Sequence, residues 1–124
     1  MADKDMKWKT LSQKYLIEKP WLTARVDKVE LPTGAIIDEY YVLEYPDWVN
    51  TIAITKEGMF VFVRQYRYAI GKTVNERCAG VIEKGEDPMA AAKRELMEET
   101  GFGGGNWQKG MTISANPSTH TNLT

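Results

Sequence analysis

Disulfide chemistry is closed to this chain, because its 124 residues hold one cysteine, Cys78. An internal bridge needs two, and a lone thiol points to a reducing compartment. Long apolar runs are also missing. No stretch approaches the roughly 20 residues that a helix needs to cross a bilayer, so a helical membrane span is excluded. The opening residues MADKDMKWKT lack the apolar core of a secretory signal. Neither sign of charge is in excess. With 16 Lys and Arg against 17 Asp and Glu, the net charge is −1, which gives no reason to expect a nucleic-acid backbone as partner. Repeats and low-complexity tracts are absent too. What remains is a cytoplasmic globular chain, 43% hydrophobic and 27% charged, of one-domain length.

The order of elements reads as mostly strands with one strong helix. Residues 1–20 are charged and weakly patterned. From Trp21 to Leu31 apolar and polar residues alternate, which is the period of a half-buried strand. Pro32-Thr33-Gly34 then signals a hairpin to a second strand over 35–45. Two further runs, 49–55 and 59–68, predict a strand pair around Lys56-Glu57-Gly58. A loop containing Glu76-Arg77-Cys78-Ala79-Gly80 is expected next. A helix is expected over 88–100, with Asp87 as N-cap, Pro88 at its first position and Gly101 ending it. Gly103-Gly104-Gly105 reads as a flexible loop, with a short strand near 111–115 after it. This order fits an α+β class with an antiparallel or mixed sheet better than a doubly wound parallel one.

The helix breaks two local rules at one place. Glu95, Glu98 and Glu99 share a stripe about 100° wide at 100° per residue. Like charges so spaced repel, and Glu98 and Glu99 occupy the last turn, where the helix dipole favours cations. Such violations are expected where function sets the residue type. A hard divalent cation would resolve both, held by a few carboxylates together with water and phosphate oxygens. Arg94, one turn before Glu98, can pair with it while the others face the metal. Ala91 and Ala92 flank the stripe and would leave room for a ligand, while Met89 and Leu96 would anchor the helix to the sheet. Taken alone, a Glu-rich helix end is more often a solvated face.

The surrounding spacing adds weight. Gly80, Glu86, Arg94-Glu95-Leu96, Glu98-Glu99 and Gly101-Phe102 resemble the Nudix hydrolase signature at each defined position over residues 80–102. Val63-Arg64-Gln65-Tyr66-Arg67-Tyr68, Ala79-Gly80, Trp21 with its strand, and Pro117 resemble the ADP-ribose pyrophosphatase branch of that family. The resemblance implies a Nudix fold, an α/β/α sandwich on a mixed sheet, in a single domain over 1–124 with an N-terminal strand region about 1–56. It implies Mg²⁺-dependent hydrolysis of the pyrophosphate bond of ADP-ribose or a related nucleoside diphosphate sugar, with Mn²⁺ as an alternative metal. Other Nudix substrates, such as GDP-mannose or a dinucleotide, remain open, as does a nucleotide-binding module with impaired turnover.

Position by position, the resemblance makes Glu95 and Glu99 the main metal ligands, joined by the Ala79 carbonyl, with Glu98 as a further ligand or water-activating neighbour. Arg94 would orient the glutamates, Glu86 would hold the loop-to-helix turn, and Gly80 and Gly101 would supply backbone freedom. Arg67, and less directly Arg64, would contact the phosphates or terminal sugar. Trp48 and Trp21 could stack on adenine across a homodimer, with ordinary packing as the plain alternative. Tyr40, Tyr41 and Tyr45 read as structural, and His120 as a solvated tail residue. The family normally continues well past the proline and carries its proposed general base there. The end at Thr124 is therefore expected to lie inside a domain, with lower activity than a longer relative.

Overall fold

A computed structural model describes residues 5–124 of the protein. The reading of the first ten residues as lacking a signal falls partly outside that range. The described residues form two compact units, one comprising 5–45 with 114–122, the other 46–113 with 123–124.

The first unit is a three-stranded antiparallel sheet of β1 (Lys9–Lys19), β2 (Leu22–Glu30) and β3 (Ile36–Glu44), in the order β1-β2-β3. β2 lies where the alternation put it and β3 where the turn signal did, joined by a turn in which Gly34 N–H reaches Leu31 O at 2.9 Å. β1 is a strand that the weak patterning of residues 1–20 did not announce. It is exposed along its whole length, so no burial period marks it, and pairing with β2 through Pro20-Trp21 defines it instead. Asp27 and Val29 are the buried positions of β2. Buried Asp27 is satisfied by Arg25 Nε at 3.1 Å and Gln13 Nε2 at 3.3 Å, as a desolvated carboxylate requires.

The tail is tethered to this sheet. Leu43 N–H donates to Thr119 O at 2.8 Å, and Thr121 N–H donates to Leu43 O at 3.0 Å. His120 forms a parallel bridge with Leu43 and stacks on Tyr45 at 5.1 Å, so it is half-buried against the sheet and not a free tail residue. Tyr40 packs edge-on against Trp8 and donates to Ser118 O, and Tyr41 donates to Glu39 at 3.1 Å.

The second unit contains the acidic helix. Its elements are β4 (Trp48–Thr51), β5 (Val63–Arg67), a 3₁₀ turn (Tyr68–Ile70), β6 (Lys72–Glu76), β7 (Cys78–Val81) and α1 (Pro88–Thr100). The expected pair around Lys56-Glu57-Gly58 survives only as a short irregular hairpin, bridged at Ile54–Phe60. β4 pairs antiparallel with β7, and β5 with β6. The loop expected at Glu76–Gly80 is in fact the end of β6 and most of β7, joined by Arg77. Ala and Gly weaken the local strand signal there, and the distant β4 supplies the pairing that overrides it. The segment near 111–115 is not a regular strand. It is held at one point, where Ile113 and Thr124 exchange two backbone hydrogen bonds of 2.8 Å. Ala91, Ala92 and Leu96 of α1 are buried with Thr51 and Cys78, and α1 packs on β7 and β4. Among the described residues no helix is long and apolar enough to cross a membrane.

Candidate functional site

The helix α1 is fixed at both ends by local chemistry. The Asp87 carboxylate accepts from Ala90 N–H at 3.1 Å, with Pro88 following as the first helical residue. Gly101 ends it in the left-handed region at φ 76°, its N–H on Met97 O at 2.9 Å. These caps set where α1 begins and ends, and its buried stripe of Ala91, Ala92 and Leu96 sets which face meets the sheet, and hence where the glutamates stand.

Residues two apart on a strand share a face, so Cys78 and Gly80 of β7 look the same way. Glu95 and Glu99 are one turn apart on α1 and lie over that face. A Cβ built on Gly80 would fall 2.2 Å from Glu95 Cδ and 2.5 Å from each carboxylate oxygen. Only a glycine admits the carboxylate there. Gly80 does not adopt a positive φ, so its role is close approach and not the backbone freedom expected of it. The Cys78 thiol, 1% exposed, is pushed up to about 12, first by burial and then by the neighbouring carboxylates of Glu99 and Glu95.

The register also places the Ala79 carbonyl. Ile82 N–H donates to Asp47 O at 2.9 Å, which makes Val49–Gly80 and Thr51–Cys78 the hydrogen-bonded pairs of the β4–β7 ladder. The polar groups of Ala79 and Val81 therefore point away from β4. Arg94 Nη2 takes the Val81 carbonyl at 3.2 Å, and the Ala79 carbonyl opens onto the same edge.

Arg94 ties the site together. Its Nε and Nη2 grip both oxygens of Glu86 at 2.8 and 2.9 Å, and its Nη1 reaches Glu95 at 2.9 Å and Glu98 at 3.3 Å. The expected partner, Glu98, is thus the loosest of three. Glu86 also accepts from Glu83 N–H at 3.1 Å, closing the turn into the helix. The hydrogen bonds from Arg94 hold the Glu86 carboxyl down at about 2, and the Arg94 pKa is raised, first by Glu86.

Hard oxygen donors on one side of α1 fit a hard cation. Among the described residues no three acidic, histidine or cysteine side chains converge into a ready metal cluster. This does not exclude Mg²⁺, which is typically held by one or two carboxylates plus water and phosphate oxygens. Glu95, Glu99 and the Ala79 carbonyl meet that requirement, and Glu98, with a side chain 59% exposed, stands at the rim.

Other expected residues are sorted by strand parity. Arg67 and Arg64 lie on opposite faces of β5, so they do not act on one ligand from that strand. Arg67 forks onto Glu76 of β6 at 2.8 and 2.6 Å, and its pKa is raised, first by that hydrogen bond and also by the charge of Glu99. Trp48 pairs with Val81, on the sheet face opposite Cys78 and Gly80, so the structure does not bring it to the acidic face. Trp21 is 89% exposed at the β1–β2 turn. Ala91 and Ala92 leave no room for a ligand: both are packed into the interior of the unit. Sequence reasoning missed Glu76 and the packing role of Cys78. Only the spacing of a hairpin, Arg67 before the turn and Glu76 after it, hinted at the first.

The profile described as "NUDIX domain" matches residues 45–120, and "Nucleoside diphosphate sugar hydrolase N-terminal domain" matches residues 8–43. The chain is 42% identical over 94 residues to a methanol dehydrogenase activator of Bacillus methanolicus, covering 76% of this chain and 50% of that one. It is 35% identical over 99 residues to an ADP-ribose pyrophosphatase of Bacillus subtilis (strain 168), covering 80% and 53%. It therefore spans about half the length of these curated relatives. A crystal structure of an ADP compounds hydrolase superposes with a TM-score of 0.85 at 22% identity, covering 98% of this chain and 66% of that one, which shows a shared fold.

Proposed function

Because this chain belongs to the Nudix family, we propose that it hydrolyses the pyrophosphate bond of ADP-ribose or a related nucleoside diphosphate sugar, with Mg²⁺ or Mn²⁺ as cofactor. The observation that carries this reading is the seating of Glu95 over Gly80 with Glu99 one turn on, beside the open Ala79 carbonyl. The similarity to an ADP-ribose pyrophosphatase supports the substrate class.

In this reading Glu95, Glu99 and the Ala79 carbonyl would hold the cation. A bound divalent ion supplies charge for the diphosphate oxygens and acidifies a water. Arg94 keeps Glu95 oriented while its own position is fixed by Glu86. Glu98, exposed and loosely held, takes the proton of the attacking water. The water oxygen bonds to one phosphorus, the bridging P–O bond breaks, and ADP-ribose yields AMP and ribose 5-phosphate. The free Nη1 edge of Arg67 steadies a phosphate oxygen. We take the working form to be a cytoplasmic homodimer.

The test is a substrate panel of ADP-ribose, GDP-mannose and a dinucleotide with Mg²⁺, read by coupled phosphate release. Preferential release of AMP from ADP-ribose is expected. Preference for another diphosphate, or calorimetric binding of ADP-ribose without product, would contradict it.

A further inference from the structure

Glu76 has no part in the site as read from sequence, yet it takes the Nε–Nη2 edge of Arg67, the arginine expected at the phosphates. Val63, Gln65 and Arg67 share one face of β5, and Glu76, paired with Val63, projects from the same face of β6. Arg67 reaches back along that face to grip both carboxylate oxygens, at 2.8 and 2.6 Å. The hairpin does not need this pair for closure, because five backbone pairs from Val63–Glu76 to Arg67–Lys72 already zip it. The fork has a geometric consequence instead. It occupies Nε and Nη2 and leaves Nη1 on a side chain that is 42% exposed. Two residues past Glu76, Cys78 opens the strand over which Glu95 and Glu99 lie.

We propose that Glu76 is a positioning residue, holding the Arg67 guanidinium so that its Nη1 edge meets the diphosphate of the substrate. This rests on the diphosphate reading above. A planar guanidinium gripped on one edge has a defined second edge, which a lysine ammonium cannot offer.

Losing Glu76 pushes affinity in two directions, so the sign of the change is decisive. A freed Arg67 weakens anion binding, whereas removing a nearby negative charge strengthens it. Calorimetry of inorganic pyrophosphate with Mg²⁺, on the wild type, Glu76→Gln, Arg67→Gln and the double variant, reads this directly, with thermal melting as a check on folding. Each single change is expected to weaken binding about tenfold, the scale of one charge-assisted hydrogen bond, and the double no further. Glu76→Asp, which keeps the charge but shortens the reach, is expected to weaken binding as well, and serves if the glutamine variant fails to fold. Unchanged or tighter binding in Glu76→Gln, or additive losses in the double variant, would overturn the proposal. Pyrophosphate binding that follows the expected pattern in a protein with no turnover would leave Glu76 in place and remove the hydrolase reading. Ordinary turnover with an indifferent Glu76→Gln would do the reverse.

Discussion

Gly80 and Glu95 occupy space that a single added carbon would contest: a Cβ on Gly80 would lie 2.2 Å from Glu95 Cδ. The strand glycine and the helix carboxylate are therefore one structural feature, divided between β7 and α1. Replacing Gly80 by alanine must move Glu95 while asking nothing unusual of the backbone, since Gly80 does not adopt a positive φ.

Gly80→Ala is thus expected to fold but to lose metal affinity and turnover by about 10- to 100-fold, the usual cost of disturbing a ligand's support. Mn²⁺ titration beside a thermal melt checks this. Wild-type affinity in the alanine variant would show that Glu95 does not need that seat.

The Glu86–Arg94 pair makes a pH prediction. Glu86 is held at about 2 in the folded protein against an ordinary value of 4.5, because Arg94 donates to both its oxygens. A depressed folded value gives stability that is present above 4.5 and lost as pH falls toward 2. Melting temperature should therefore decline across that window, and Glu86→Gln should flatten the decline while lowering stability at neutral pH. An identical acid profile in the variant would show that the pair contributes nothing there.

Cys78 should be chemically silent. Burial and the neighbouring Glu99 push its thiol up to about 12, and the thiolate is the reactive form. At pH 8 labelling of the folded protein by a disulfide reagent is expected to be at least about 100-fold slower than labelling in denaturant. Comparable rates would mean that β7 and α1 separate readily.

Much of this arrangement was legible along the chain because it is local. The caps Asp87, Pro88 and Gly101 delimit α1 by short-range hydrogen bonds, and the crowding of Glu95, Glu98 and Glu99 is helical arithmetic. The α+β class followed from the order of elements, and the solved structure with the same fold agrees with it. Features that depend on distant pairing were not legible. β4 finds β7 across some thirty residues, and only that register shows Trp48 facing away from Gly80. β1 has no buried side to give it a period. Ala91 and Ala92 looked like space beside a site, but small side chains on the packed stripe of a helix are what let it approach a sheet closely. The opposition of Arg64 and Arg67, by contrast, follows from strand parity alone.

The central claim is that Glu95 and Glu99 hold a divalent cation over β7. Its most direct test is Mn²⁺ binding, followed by electron paramagnetic resonance in the wild type, Glu95→Gln and Glu99→Gln, each shown to be folded. Specific binding that weakens at least about tenfold in either variant is the predicted result, since each substitution removes one of two anionic ligands. Equal affinity in all three proteins, or no specific binding in the wild type, would contradict the account.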